Sequence, residues 1–377
     1  MYISQTPLLK LPLVLAKTRS QLRGECWKAE ANSKIAIFSR GQWAIKEIAS
    51  GIIRQKRKER GKIYIPEYFC EISLTTLRMS AFDIHFYRIT PDFEPDIDHL
   101  NEISQRYGVP DVLLLVHYFG FPSKIHDSIK WCQQNDVILV EDAAHSFTPI
   151  PGIGDNENPT IYTPWKFLNI PEGALLVLPG KLMFLSEGFN NAVRPSAYPL
   201  SWISKQVLSL SIQHLKIPAH RIRRVRIKGH DESEQPIDPK NLGCSVFSFN
   251  LLSQYGQYID KIRSIRERNY KRLDEIFLKT DISMYRIFKK IPALFAPYIY
   301  PLRVPADVNI DIMTAMNKRG IPAAPWSDLS PEVKDSQEYP LSNALRREVI
   351  TLPIHQDLTL AHIDWMAGEV IKSFKVS

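Results

Sequence analysis

The chain has few cysteines and lacks any long apolar run. Its four cysteines lie far apart in the sequence and form no Cys-x-x-Cys pair; they are Cys26, Cys70, Cys132 and Cys244. This spacing argues against a zinc site or a disulfide framework and favours a reducing compartment. No segment approaches the roughly 20 apolar residues of a membrane-spanning helix. We therefore predict a cytoplasmic protein with no metal site and no membrane span.

Internal repeats and low-complexity tracts are also absent from the sequence. Hydrophobic residues make up 44% and charged residues 23% of the chain, a composition typical of globular proteins and not of disordered or collagen-like chains. At 377 residues, the chain exceeds the roughly 250 to 300 residues at which a single core stops growing. We expect a large domain over residues 1–254 and a smaller one over residues 255–377.

The net charge of +8 favours an anionic partner. The basic residues are spread along the chain except in two runs, residues 54–60 and 216–228. The first run follows a predicted helix and is typical of a solvated helix end. The second contains RIRRVRIK, whose alternation is typical of a β-ribbon with one basic face or of an edge strand protected by charge. Such dispersed charge does not predict nucleic-acid binding.

Strand and helix patterns alternate along the first half of the chain. Short apolar runs typical of buried strands are KIYIP, DIHFYRI, VLLLVHYF and VILVED. Residues 42–53 have apolar side chains at helical spacing, and so has the longer segment 253–277. This alternation predicts an α/β fold with a mostly parallel central sheet, helices on both faces, and a smaller C-terminal α+β domain.

Two acidic residues end the apolar run VILVED. Ligands of open α/β sheets bind beyond the carboxyl ends of the strands, and successive strand side chains point to opposite faces, so that either Glu141 or Asp142 faces such a site. Lys166 follows in TPWKF, before a small-residue turn and a further apolar run. A pyridoxal phosphate (PLP) enzyme requires this order, because a carboxylate faces the ring nitrogen and a lysine holds the aldehyde. Alone, an acid at the end of a strand is equally typical of a helix cap, and a lysine is equally typical of a solvated surface.

Several motifs occur together and in a characteristic order. They include SRGQWAIKEIA, IYIPEYFCEI, HYFG, EDAAH, Lys166, EGA, RERNYKRL and ITLPIHQDLT. Together they resemble the sugar aminotransferases of the DegT/StrS family, which are PLP enzymes of the aspartate aminotransferase fold (fold type I). The resemblance covers most of the chain. Gln42-Trp43 and Ala174 depart from the usual pattern, which indicates a divergent member.

The resemblance implies three catalytic residues. Asp142 would pair with the pyridinium nitrogen and keep it protonated. His145 would contact the ring face or its phenolic oxygen. Lys166 would bind the cofactor as an aldimine and then move a proton between the substrate carbon and the cofactor carbon.

The resemblance also implies contacts to the cofactor phosphate and ring. Gly41 and Gln42 would bind the phosphate at a helix N-terminus, where backbone N–H groups favour an anion. Thr163 would add a hydroxyl, and Ser248 would reach the phosphate bound by the other subunit. Phe69, with Tyr68 beside it, is the candidate for stacking on the ring, unless Cys70 occupies the family's aromatic position and leaves the stack to another residue.

The resemblance implies a PLP-dependent aminotransferase that transfers an amino group from glutamate to a keto-sugar carried on a nucleotide or a similar anionic carrier. The family further implies a homodimer in which a loop reaches the partner's site, so that Arg224 and Arg226 would meet a diphosphate or an acidic sugar. Another PLP reaction, such as dehydration, remains an alternative, although the retained Lys166 favours transamination. A non-catalytic regulator or scaffold with the same fold is the alternative from a different class.

Overall fold

The computed structural model describes residues 3–14, 25–28, 31–189, 193–195, 199–214, 242–295, 297–326 and 328–375. The α-helices are α1 Leu11–Val14, α2 Gly41–Gln55, α3 Thr75–Arg78, α4 Ile97–Tyr107, α5 Ile125–Gln134, α6 Leu200–His214, α7 Val246–Tyr255, α8 Ile259–Phe277, α9 Ala306–Lys318, α10 Pro340–Glu348 and α11 Leu360–Phe374. The strands are β1 Lys34–Phe38, β2 Gly61–Pro66, β3 Phe82–Tyr87, β4 Val112–Val116, β5 Ile138–Asp142, β6 Thr160–Tyr162, β7 Ala174–Leu178, β8 Ile299–Arg303, β9 Ala324–Pro325 and β10 Val349–Pro353.

Among the described residues, seven strands form the central sheet in the order β1-β7-β6-β5-β4-β2-β3. Strands β2 to β6 pair in parallel, whereas β7 runs antiparallel to both β1 and β6. All five residues of β4, VLLLV, are buried, as expected for a strand that is covered on both faces of a parallel sheet. The predicted α/β class with a mostly parallel sheet is confirmed.

Helix α2 packs against the central sheet and begins two residues after β1 ends. Its buried apolar residues recur at helical spacing, as in Ala44, Ile48 and Ile52. Gly51 permits a close approach to the next layer, because a β-carbon there would lie 2.4 Å from the Leu185 carbonyl oxygen. The packing directs the N-terminus of α2 toward the carboxyl ends of the parallel strands.

The C-terminal part of the chain forms a second, antiparallel sheet in the order β8-β10-β9. The predicted helix over residues 253–277 is instead two helices, because the three residues Gly256–Tyr258 form a 3-10 turn between α7 and α8. Glycine has a low helix propensity, and Tyr258 leaves the helical region of φ and ψ. The proposed domain boundary, after residue 254, falls within the last turn of α7, which ends at Tyr255. No helix within the described ranges is both long and apolar enough to cross a membrane.

Candidate active site

A cavity lies where the parallel strands β4 and β5 end and helix α2 begins. The last residues of these strands, Val116 and Asp142, both line it. This is the position where open α/β sheets bind ligands. Seven of the predicted site residues form part of its wall: Gly41, Gln42, Phe69, Asp142, His145, Thr163 and Lys166.

The two acids that end β5 point in different directions. Asp142 lines the cavity, is 7% exposed, and accepts a hydrogen bond at Oδ1 from the Ala144 amide at 2.9 Å. Glu141 is fully buried and does not line the cavity. It accepts three hydrogen bonds, from His117, Gly154 and Asn158. Asp142 is therefore the acid that faces the site, and Glu141 anchors the loops behind β5.

Lys166 and His145 approach each other across the cavity. Lys166 ends the short turn Pro164–Lys166 after β6, and its Nζ lies 3.5 Å from His145 Nε2. The Phe119 amide donates to His145 Nδ1 at 3.4 Å. A neutral histidine that accepts at Nδ1 carries its proton on Nε2. In that form, His145 presents an N–H group to the amine of Lys166.

Aromatic residues from the C-terminal part of the chain flank this pair. The ring of Tyr298 is stacked parallel to His145, with 5.8 Å between centroids and 10° between planes, and lies 5.8 Å from Lys166 Nζ. Trp326 lines the cavity and meets the His145 ring edge to face at 4.8 Å. Neither residue belongs to a motif of the sequence. Only their position in the fold brings them to the site.

The N-terminus of α2 forms one end of the cavity. Gly41 is the first residue of the helix, and Gln42 is 3% exposed. Neither the Gln42 Oε1 atom nor the hydroxyl of Tyr68, another wall residue, has a hydrogen-bond partner among the described residues. Buried polar atoms are rarely left unpaired, so these two fit a cavity that binds a polar ligand. The helix N-terminus favours an anion, as the phosphate of PLP requires.

A side chain at position 41 is expected to weaken PLP binding. A β-carbon on Gly41 would lie 3.3 Å from Thr163 Cγ2, and the branches of a valine would extend further into the space where the phosphate approaches the helix. We expect Gly41→Val to raise the dissociation constant for PLP by about tenfold or more, equivalent to about 1.4 kcal/mol. Fluorescence titration with PLP measures this. Gly368→Val is the control, because a β-carbon there meets nothing within 4 Å. Equal affinities of the two variants for PLP would contradict the assignment of the phosphate site to the N-terminus of α2.

Ser248 is not among the residues that line this cavity. Ser248 lies in α7, is fully buried, and accepts a hydrogen bond from the Ser245 hydroxyl at 3.0 Å. A contact from Ser248 to the other subunit stays a prediction. Arg224 and Arg226 lie outside the described residues.

The EGA turn explains one departure from the family pattern. Gly173 has a φ of +145°, which only glycine adopts readily. Ala174 instead begins β7, is fully buried and pairs with Phe38. A β-carbon is acceptable at this position, and the replacement of the second glycine therefore leaves the turn intact. Glu172 accepts hydrogen bonds from Arg194 and from the Ser245 amide, at 3.0 and 2.7 Å.

A buried acid next to the cavity is expected to make stability depend on pH. Glu67 precedes Tyr68, is 1% exposed, and accepts a hydrogen bond from the Ile89 amide at 2.9 Å. Burial raises the pKa of Glu67 from about 4.5 to about 7, against a smaller lowering effect of the Ile89 amide. The unfolded chain ionises first as the pH rises. Stability is therefore full below about pH 4.5, and up to about 3 kcal/mol is lost as the pH rises through 7.

The variant Glu67→Gln tests this expectation. Glutamine can keep the acceptor for the Ile89 amide but cannot ionise, so the part of the pH dependence that Glu67 contributes should disappear. Urea unfolding of both proteins from pH 4.5 to 8 measures the difference. We expect the stability of the variant, relative to the wild type, to increase across this range, and a constant difference would refute the role of Glu67.

Comparison with known proteins supports the fold. No family model and no curated protein matches the sequence. Solved structures do match over most of the chain, and three of them illustrate the similarity. PseC from Helicobacter pylori, an aminotransferase involved in the biosynthesis of pseudoaminic acid, is 17% identical with a TM-score of 0.63 over 100% of both chains. NtdA from Bacillus subtilis, with bound cofactor PMP, is 15% identical with a TM-score of 0.66 over 100% of this chain and 86% of that one.

The third match is a DegT DnrJ EryC1 StrS aminotransferase from Brucella abortus. It is 13% identical with a TM-score of 0.59, over 90% of this chain and 85% of that one. PseC and the Brucella abortus protein are aminotransferases, and the low sequence identities of all three matches place the similarity at the level of the fold. The chain therefore has the fold of the DegT/DnrJ/EryC1/StrS aminotransferases, as its motifs predicted.

Proposed function

We propose that this protein is a PLP-dependent aminotransferase that moves an amino group from glutamate to a keto-sugar linked to a nucleotide. The observation that carries the proposal is the convergence of Lys166, Asp142 and the N-terminus of α2 on one cavity. A lysine, a carboxylate and an anion site are the three groups that PLP requires of a protein. The matched fold and the bound PMP of NtdA support the same cofactor.

Each residue of the cavity has a distinct task in this reaction. PLP, when bound, supplies a ring that accepts electrons from the substrate carbon. The Asp142 carboxylate would hold the proton on the ring nitrogen through a charge-assisted hydrogen bond. Lys166 Nζ would bind the cofactor covalently, and after its release would take a proton from the substrate carbon and deliver it to the cofactor carbon. His145 Nε2, at 3.5 Å, would orient that amine.

Two features of the molecule support a keto-sugar on an anionic carrier as the amino acceptor. The wall of the cavity contains the aromatic rings of Tyr68, Tyr118 and Trp326, and such rings suit the apolar faces of a sugar. PseC, which has a similar fold, is involved in the biosynthesis of pseudoaminic acid. The net charge of +8 suits a phosphorylated carrier. Arg224 and Arg226 are the proposed contacts of that carrier across a homodimer, and their replacement should raise the KM for the sugar substrate.

The absorbance spectrum of the purified protein with PLP tests the proposal. We expect a visible band from PLP bound to the lysine, which disappears when glutamate is added while the near-ultraviolet band of PMP appears. 2-Oxoglutarate should form in an amount equal to the PMP, and a later addition of excess 2-oxoglutarate should restore the visible band. Failure to bind PLP would instead favour a non-catalytic member of the fold. A visible band that does not respond to glutamate would indicate another donor or another PLP reaction.

A further inference from the structure

Helix α8 carries a buried arginine that makes no ion pair with a carboxylate of the described residues. Arg266 is 1% exposed. Burial lowers the pKa of its guanidinium to about 9, so that it remains charged at neutral pH. Burying a charge without a counter-ion is costly unless every donor is satisfied. A residue held in this state must make hydrogen bonds that a neutral side chain cannot replace.

The guanidinium of Arg266 is satisfied by oxygen atoms from three separate segments. It donates to the carbonyl oxygens of Phe167 at 3.1 Å, Tyr298 at 3.0 Å and Pro297 at 3.3 Å. It also donates to Gln356 Oε1 at 2.9 Å, and Gln356 Nε2 in turn donates to the Phe167 carbonyl at 2.9 Å. The guanidinium carbon lies 4.8 Å from the centre of the Phe167 ring. Among these contacts, Arg266 joins Phe167 to Pro297 and Tyr298, which lie far apart in the sequence.

Both segments carry parts of the candidate active site. Phe167 directly follows Lys166, and the backbone that Arg266 binds at Phe167 therefore sets the position of the lysine. Tyr298 stacks on His145 and lies beneath Lys166 Nζ. A shift of either backbone carbonyl would change the 3.5 Å separation between the lysine and the histidine.

We propose that Arg266 is a positioning residue, which fixes Lys166 relative to Tyr298 and His145 without touching the cofactor or the substrate. Only the expected effect of Arg266 on the reaction with glutamate depends on the proposed function. Arginine is suited to the task because its five donors diverge in a rigid plane. Lysine has the same charge but presents its three donors from a single nitrogen, and it therefore does not reproduce the diverging hydrogen bonds of the guanidinium.

The conservative variant Arg266→Lys tests the proposal in two ways. The first is hydrogen–deuterium exchange of residues 163–170 in the protein without PLP, where the amides of Lys166, Phe167 and Leu168 are hydrogen-bonded within the turn. We expect these amides to exchange about tenfold faster than in the wild type. The second is the single-turnover rate with glutamate, which we expect to fall about 10- to 100-fold while the concentration for half-saturation changes less than threefold.

Arg286→Lys is the matched control. Arg286 is also a buried arginine of the C-terminal part, but it pairs with Asp274 at 2.6 and 2.8 Å and does not line the cavity. We expect it to lower the thermal midpoint while leaving both active-site measurements within about twofold of the wild type. If Arg266→Lys does not fold, Gln356→Ala removes one of the two donors to the Phe167 carbonyl and should shift both measurements in the same direction by a smaller factor.

The outcomes separate this proposal from the proposed function. If Arg266→Lys and Arg286→Lys give the same exchange at residues 163–170, the proposal is overturned and Arg266 is structural only. Faster exchange in Arg266→Lys alone supports positioning, even if the wild type shows no reaction with glutamate. A wild type that does not react with glutamate would refute the proposed function, whereas the role of Arg266 in positioning Lys166 would remain supported.

Discussion

Replacing Lys166 with alanine is expected to abolish the visible band of bound PLP and to reduce amino transfer by at least about 10³-fold. The reduction follows from two losses, because the amine both binds the cofactor covalently and moves the proton at the substrate carbon, and each such contribution is typically worth 10² or more. Lys166→Arg should behave in the same way, since a guanidinium keeps the charge but does not bind an aldehyde under these conditions. Stopped-flow absorbance with glutamate measures the rate.

Two controls make the Lys166 result specific. Lys34→Ala removes an amine from edge strand β1. Lys34 donates a hydrogen bond to Ser186 and does not line the cavity. The variant should therefore leave the spectrum and the rate unchanged. Adding a small primary amine to Lys166→Ala should restore part of the rate, because the added amine can replace the amine of Lys166 as the base that moves the proton. A visible band and a normal rate in Lys166→Ala would place the covalent site elsewhere and end the present assignment.

The parts of the site that lie on local sequence signals could be predicted. Asp142 ends an apolar strand, and the carboxyl ends of parallel strands define the binding edge of an α/β sheet. Lys166 follows at the next strand, and Gly41 begins the helix after β1. In each case the relation between residue and site is set by one strand–turn unit. These local signals place each residue at the end of its strand or helix, and the resemblance to the family joined the three residues into one predicted site.

The parts that depend on long-range packing could not be predicted. Tyr298 and Trp326 reach the cavity from the C-terminal part of the chain, and neither has a local pattern that distinguishes it from a core aromatic residue. Arg266 lies in the RERNYKRL segment, which the helical spacing identified only as a helix. Its burial is not visible in that pattern, because most arginines of a helix are solvated. The break at Gly256–Tyr258 was missed because the apolar spacing continues through it.

The variant Asp142→Asn is expected to lower the rate of amino transfer by about 10² to 10³-fold, the effect of removing one preorganised charge from an active site. Asparagine can still accept the Ala144 amide at Oδ1, a bond of 2.9 Å in the wild type, so the β5 loop should keep its structure. What is lost is the negative charge that holds the proton on the ring nitrogen of PLP. The single-turnover rate with glutamate, together with the PLP dissociation constant, measures both consequences.

Glu141→Gln is the matched control, since it removes the same charge one residue earlier on the same strand. Glu141 faces away from the cavity and accepts hydrogen bonds from His117, Gly154 and Asn158. Its amide replacement leaves at least one of these donors without an acceptor and should cost about 1 to 3 kcal/mol of stability. The rate should nevertheless stay within about threefold of the wild type, because no charge that faces the cofactor has changed. Equal rates in the two variants would show that the effect of Asp142 is one of stability, and the charge at the ring nitrogen would then have to come from another residue.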